Sequence, residues 1–441
     1  MSKVAPTHIN SSSEETVEKS KTLLNRAEIE SNVQIKNVDR DEEYNLDLFC
    51  YTQCSEHDSP LVKSARGVVF HGDDLVMKAF SYTPEYMDTD TQKIEEFVLG
   101  SPSTVYYSHE GSLLRAFYFR DKWFLSTHRK LDAFKSKWSS TLSFGEIFES
   151  ALSDMYVNYE PFKRRLNDTS PGSSDTVFNR FFNTLDKGKH YMFLLRNTAE
   201  NRIVCLAPKV PTVYHVGVFV DGELSMEDAI DIPYPEHTII NRPLDLHKEL
   251  VKINEKYHQG LMVFRNDGTQ AKIYTTEYKN LYNVRGNEPS IKFRYLQVRM
   301  DQKMCRYMHM LYPHSVKVFE EYENTLYDIA KMLYRTYVQR FIKKNYTTLP
   351  QQEFIVVSEC HKWHIEDRVN NKITLEKVIQ ILNKQSAISL NHMIKRYKTE
   401  QFQKRDVNVT PTRIFKTPLV DSVSNGRSVS PIRLTEAALS V

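Results

Sequence analysis

The sequence predicts an α+β protein in which an antiparallel-sheet domain is followed by an all-helical domain. Two observations carry that expectation. From about residue 47 to residue 299, short runs rich in Val, Ile, Phe and Tyr recur between polar or Gly-containing turns. Many alternate apolar with polar residues, the period of half-buried strands. After Arg299 the apolar residues fall three and four apart instead, the period of a helix face. At 441 residues the chain is too long for one ordinary core, which agrees with two domains.

Residues 1–35 are polar, with SSSEE opening a short helix through Leu23 and Leu24, and weak order is expected there. The sheet-rich domain is placed at 36–299. Its strands are GVVF, DLVMKAF, LLRAFYF, KWFLSTH, YMFLLR, NRIVCL, YHVGVFV, GLMVF and AKIYTT. Helices interrupt them at TQKIEEFVLG and at FGEIFESALSDMY, where Phe144, Ile147, Phe148 and Leu152 keep to one face. The helical domain is placed at 300–400. Its long first helix aligns Leu326, Ile329, Met332, Leu333 and Tyr337; ITLEKVIQILNKQ follows with Thr374 as cap, and ISLNHMIKRY closes the series. The tail, 401–441, lacks sustained periodicity and is expected to be disordered. No internal repeat is evident.

Composition narrows the function classes. The formal net charge is +3, which forces no polyanionic partner although local basic clusters can still meet phosphate. Aromatic residues make up 12%, and tyrosines can either stack on bases or fill sheet cores. Five scattered cysteines, an odd number, argue for a reducing compartment rather than a disulfide scaffold. No apolar signal region opens the chain and no apolar run reaches the ~18 residues of a membrane span. The expectation is an intracellular, cytoplasmic protein without a membrane partner.

Five segments carry the chemistry, in order: SARGVVF with Arg66; YYSHEGSLLRAFYFRDKWFLSTHRKLDAF, where Glu110, Gly111 and Ser112 turn between two strands; YMFLLRNTAENRIVCL; HQGLMVF; and AKIYTTEYKNLYNVRGN. Their order and spacing, over roughly residues 60–285, resemble the covalent nucleotidyltransferase superfamily, most closely the phage-type RNA ligases. The resemblance implies a nucleotidyltransferase (ATP-grasp-like ligase) fold with a helical domain appended. It also implies a lysine, in a K-x-D-G-S turn, whose uncharged amine attacks the α-phosphate of ATP. Such chemistry needs a depressed amine pKa and Mg2+ to neutralise the phosphates.

Carried over residue by residue, the resemblance places Arg66, Glu110, Gly111, Ser112, Thr127, Phe193, Gln259 and Lys272 around a nucleotide, with Asn201, Arg202 and Ile203 closing the ribose-binding strand pair. The departures fall on the chemistry. Ser108 stands at the lysine position, Leu194 and Gln259 stand where Glu is expected, and Tyr274 replaces a second phosphate lysine. A Ser hydroxyl cannot form the phosphoramidate, Leu accepts no ribose hydroxyl, and Gln ligates metal without charge. The implied reading is a catalytically impaired RNA ligase-like protein, a pseudoenzyme, binding RNA or nucleotide. ATP and Mg2+ serve it only if activity is retained.

Two alternatives remain open: an active ATP-dependent RNA ligase with a different lysine nucleophile, for which Lys78 and Lys122 are considered, and a structural or scaffold protein with a closed cleft. The Glu110–Ser112 segment on its own is also compatible with an ordinary hairpin turn. Lys272 and Lys279 could equally be solvated strand-edge charge.

Two basic segments are candidate nucleic-acid contacts: HRKLDAFKSKW, with Arg129, Lys130, Lys135 and Lys137 near Phe134 and Trp138, and VRGNEPSIKFRYLQVR, with Arg285, Lys292, Arg294 and Arg299. Either could instead be a solvated helix face. Cys360, His361 and His364 invite a zinc reading, but zinc in a structural site takes four ligands, and Trp363 anchoring a helix junction competes with it. Ligase-like chains of this kind occur in phages and large DNA viruses, so the resemblance also suggests a viral origin, with host cytoplasm or virion as the location.

Overall fold

In the computed structural model, residues 24–407 are described, apart from 100, 101, 170, 171, 173, 199–201, 227, 228, 266 and 267. The weak order expected of 1–23 and the disorder expected of the tail beyond 407 lie outside the described residues, while 401–407, placed in that tail, instead end a helix. Contacts divide the chain into two compact units, Met1–Glu323 and Asn324–Val441.

Three sheets build the first unit. The first has the order β1-β2-β3-β4, from Ile35–Asp41, Leu46–Tyr51, Arg66–His71 and Asp74–Met77. Ahead of it α1 (Arg26–Ser31), capped by the Asn25 side chain, buries Ile29 completely against Phe49, Val68 and Phe70. The stretch 24–35, expected to be weakly ordered, is therefore packed. The buried Ile, the side-chain cap and the Arg26 guanidinium on Asp47 (2.8 Å) dock this short helix.

The second sheet runs β11-β10-β9-β7-β8, from Glu223–Ser225, Thr212–Val220, Lys189–Arg196, Ser112–Phe119 and Lys122–Ser126. Its outer face is covered by α4 (Phe144–Asn158), α5 (Glu160–Thr169) and α6 (Val177–Asn183). Ile147, Phe148, Phe162, Phe181 and Phe182 meet Leu114, Tyr191, Phe193 and Leu195 there. Each fully buried Phe contributes about 2–3 kcal/mol.

The third sheet runs β12-β6-β13-β14-β5, from His237–Ile240, Ser103–Ser108, Gly260–Arg265, Gln270–Tyr274 and Glu85–Met87. All its pairs are antiparallel except β14 with β5. Ile94 and Val98 of α3 (Thr91–Val98) and Leu246 and Leu250 of α7 (Pro243–Val251) cover its outer face. Residues from all three sheets, among them Leu48, Met77, Phe117, Met192 and Phe264, share an inner core.

Three further helices, α8 (Thr276–Arg285), α9 (Ile291–Val298) and α10 (Gln302–Leu311), belong to this unit. They pack with Val204, Cys205 and Phe319. The last strand ends at Tyr274, ahead of the change of periodicity at Arg299, and the contacts divide the chain only after Glu323, within α11 (Val316–Tyr337).

The second unit is helical: the rest of α11, then α12 (Gln351–Glu366), α13 (Leu375–Asn383) and α14 (Ala387–Val407). Thr374 caps α13 as its sequence predicts. Within the unit Arg396 meets the buried Glu353 carboxylate at 3.0 Å. The mixed α+β class, with antiparallel sheets and a helical C-terminal region, is what the sequence led us to expect.

Candidate functional site

A cavity of about 800 Å³ opens in the first unit, between the inner faces of the second and third sheets, with Arg66 reaching in from the first. Residues directly opposite across a sheet share a face. Ser108 pairs with Gly260 and Gly260 with Tyr274; one row along, Tyr106 pairs with Met262 and Met262 with Lys272. Register alone therefore brings Ser108 and Lys272 to one wall.

A glutamine joins them. Gln259 takes the Ser108 carbonyl through its own N–H (2.8 Å), and its Oε1 accepts both the Ser108 hydroxyl (3.3 Å) and the Lys272 ammonium. Its amide nitrogen donates to the Tyr278 hydroxyl at 3.0 Å, which donates in turn to Glu110 at 3.0 Å. Burial, and after it the Glu110 charge, pushes the Tyr278 phenol upward, so it stays a neutral donor. The other Glu110 contacts are the backbone N–H groups of Ile203 (3.3 Å) and Val204 (2.8 Å). This explains a difference from expectation. NRIVCL alternates like a strand, yet 202–206 forms bends, because two of its N–H groups go to a carboxylate instead of a ladder.

Burial drives the Lys272 amine down to about 8. Glu85 and Glu110 pull the other way, and Arg66 and Lys279 add to the depression. No carboxylate among the described residues lies within ion-pair distance of Lys272; the Tyr274 ring lies 4.6 Å from its nitrogen and also faces Lys279. Burial likewise lowers His109, to about 3, with Arg196 adding to it. Its ring stacks on Tyr214, 5.2 Å between centroids at 4°.

The entrance from the first sheet depends on Gly67. Arg115, wholly buried, donates to the carbonyls of Gly67 and Thr127 and has no carboxylate partner among the described residues. At Gly67 φ is +73°, and a Cβ would overlap the Arg115 guanidinium and crowd the His128 backbone at 2.8 Å. Only Gly fits. Arg66 thereby sits at the rim, donating to Ser81 O at 3.3 Å.

Of the expected nucleotide residues, Arg66, Glu110, Gly111, Ser112, Thr127, Gln259 and Lys272 line the cavity together with Ser108. Phe193 does not. It points to the opposite face of β9 and is fully buried against Phe148, 5.2 Å away, while Leu194 faces the cavity. Strand alternation puts neighbours on opposite faces, and the motif match had chosen the wrong one. The Thr127 hydroxyl lines the cavity but already accepts the N–H groups of Arg129 and Lys130. Asn201 lies outside the described residues.

The basic segments divide. Arg129 and Lys137 line the cavity, and both are exposed. Lys130 pairs with Asp39 at 2.8 Å and Lys135 with Asp132 at 3.6 Å. Arg285 is fully buried, its Nε on the Tyr312 hydroxyl (2.7 Å) and its Nη1 on the Glu288 carbonyl (2.5 Å), and burial keeps it from nucleic acid. Arg294 donates to the carbonyls of Val284 and Asn283 at the end of α8. A basic residue near a helix end is as apt to cap carbonyls as to meet phosphate.

Neither lysine considered as a substitute lines the cavity: Lys78 follows β4, and Lys122 is exposed over the Phe124 ring at 4.9 Å. Among the lining residues that the sequence does not single out are Glu85, Tyr106, Arg196 and Phe264, with Tyr278 just behind them. Tyr278 lies in the quoted TTEYKN but belongs to no motif that would single it out.

The donor set does not suit a protein-held Mg2+. Among the described residues both lining carboxylates are engaged, Glu110 as above and Glu85 by Tyr274 (3.1 Å) and Lys279 (3.7 Å). Among the described residues no three His, Cys, Asp or Glu side chains gather to hold a metal. In the second unit His361 stacks on Phe341 at 3.9 Å, and His364 bonds the Asn371 carbonyl. The zinc reading of Cys360, His361 and His364 thus gains no cluster. Trp363 instead lies under Lys377, 3.8 Å from its ring, joining α12 to α13. No described helix is long and apolar enough to cross a membrane.

No family model matches the chain. It is similar to the protein described as an immediate-early protein ICP-46 homolog of Invertebrate iridescent virus 6, 28% identical over 350 residues, covering 73% of this chain and 72% of that one. The protein so described in Invertebrate iridescent virus 3 is 30% identical over 301 residues, covering 66% of this chain and 61% of its own length. Among solved structures, it is similar to a putative ATP-dependent DNA ligase from Aquifex aeolicus (TM-score 0.37, 12% identity, 75% of this chain and 84% of that one). An archaeal ATP-dependent RNA ligase gives TM-score 0.36 at 9% identity over 84% of this chain and 76% of that one. A Naegleria gruberi RNA ligase mutant solved with ATP and Mn gives TM-score 0.30 at 9% identity over 45% and 57%.

Proposed function

We propose that the first unit is a ligase-like nucleotidyltransferase-fold module whose cavity binds a nucleotide or the phosphorylated end of an RNA, with no covalent bond at position 108. The observation that carries this reading is the imbalance of charge in the cavity wall. Among the described residues Arg66, Arg129, Lys137, Arg196, Arg202 and Lys272 line it, against the carboxylates Glu85 and Glu110, both already engaged. Concave cationic walls concentrate anions. Aromatic rings stand beside the cations, Tyr82, Tyr106, Trp138 and Phe264 among them, and give a base faces to stack on. Polyphosphate and base together describe a nucleotide better than they describe a simple anion.

The open volume of about 800 Å³ supports binding over a scaffold with a closed cleft. The losses at 108, 194 and 259 support impaired sealing. A buried Ser hydroxyl donating to an amide oxygen has no base to activate it. Titration with ATP, AMP and a short 5′-phosphorylated RNA tests the reading. At least one should bind, and Arg66→Ala should weaken it about tenfold, the loss of one charge-assisted contact. Failure of all three to bind would end this reading. The viral relatives make an infected cell the setting in which we place it.

A further inference from the structure

Within the reading of the cavity as a nucleoside triphosphate site, we propose that Lys272 is its reactive amine, capturing the nucleotide as a covalent phosphoramidate in place of the side chain at 108. Four observations converge on this lysine. The Lys272 ammonium and the Ser108 hydroxyl donate to the same Gln259 oxygen, so an amine stands beside position 108 although that residue is serine. Among the described residues only one other lysine lines the cavity, Lys137, and it is exposed. Lys272 has no carboxylate at ion-pair distance among the described residues, whereas Lys279 meets Glu85 at 3.7 Å. Its partner is a neutral amide, which releases a proton from the ammonium more readily than a carboxylate would.

Burial with Arg66 nearby then keeps a share of the amine uncharged near neutral pH, the form that attacks. The competing role for the same residue is a fixed cation that grips phosphate. Position 259 bears on the choice. A Glu there would pair with Lys272 and hold it charged, but the chain has Gln. The substitution that weakens a metal site thus frees an amine.

The step balances as follows. Lys272 first loses one proton to water. Its Nζ lone pair attacks the α-phosphorus of the triphosphate, a P–N bond forms, and the bond from the α-phosphorus to the bridging oxygen breaks. Pyrophosphate leaves with that electron pair, and the nitrogen sheds a second proton to water. Only capture is proposed, not transfer to a strand.

The test uses the full chain with each of the four ribonucleoside triphosphates, labelled at the α-phosphate, in magnesium buffer. Labelling that is acid-labile and maps to the Lys272 peptide by mass spectrometry is expected with at least one, and it should rise with pH as the amine deprotonates. Lys272→Arg keeps the cation and the site. It should still bind that nucleotide, which also reports that it folds, yet label at under one hundredth of the parent's level. Lys279→Arg should label normally. A parent protein that binds nucleotide but takes no label overturns the assignment to Lys272 while leaving the binding reading intact, and so does a labelled Lys272→Arg. A parent that binds none of the four overturns both.

Discussion

Gly260 concentrates what one residue does for this cavity. Its φ is +146° and a Cβ would overlap the Ile273 carbonyl, with further backbone at 2.9 Å, so no other residue fits between Ser108 and Tyr274. Gly260→Ala should destabilise the first unit by about 2–4 kcal/mol, the range of strained-backbone substitutions, read as a lowered denaturant midpoint. Glu110 has a different weight. It lines the cavity, and its carboxylate accepts two N–H groups and a phenol. Glu110→Ala leaves these donors unpaired and should cost about 2 kcal/mol or more, while Glu110→Gln, keeping one acceptor oxygen, should cost less. Among the histidines, His109 gives a pH handle. Its folded pKa, about 3, lies below the ordinary 6.5, so between those values the unfolded chain binds more protons. Stability should therefore fall as pH falls from 6.5 toward 3. His109→Phe should flatten part of that slope in pH-dependent unfolding.

At the scale of elements, legibility tracked how far local rules decide. Helix α4 was legible because its apolar face repeats at helical spacing; the structure adds a capping box in which Ser143 and Glu146 each bond the other's backbone N–H. Ser143→Ala should lower stability by about 1 kcal/mol in thermal unfolding. The strand β9 was legible as a strand, but the motif match set Phe193 in the site when alternation allots one face to Leu194 and the other to Phe193. The segment 202–206 has a strand's pattern and a different partner, a carboxylate 93 residues earlier in the sequence. No local rule discloses such a partner. The same holds for Tyr278 and for the shared Gln259 oxygen, which arise from register between β6, β13 and β14. Residue identity at 108 was readable; the amine beside it required the fold.

Across the whole molecule, the net charge of +3 says little, because the charges are sorted. Many surface cations are neutralised locally, Lys130 by Asp39, Lys252 by Glu249 and Arg242 by Asp245, while the cavity wall keeps a surplus. A bound polyanion should thus act on one unit. A ligand at about 100 times its Kd stabilises the form it binds by about 2.7 kcal/mol, and the gain belongs to the amides whose opening disrupts the site. Hydrogen exchange with and without saturating ATP should show added protection in β6, β13 and β14. Helices α12 and α13, in the unit that contributes no lining residue, should exchange at an unchanged rate. Because several cations act together near solvent, raising the ionic strength from about 0.05 to 0.5 M should weaken the protection at fixed ATP. Equal protection in both units, or protection indifferent to salt, would contradict a cationic cavity confined to the first unit.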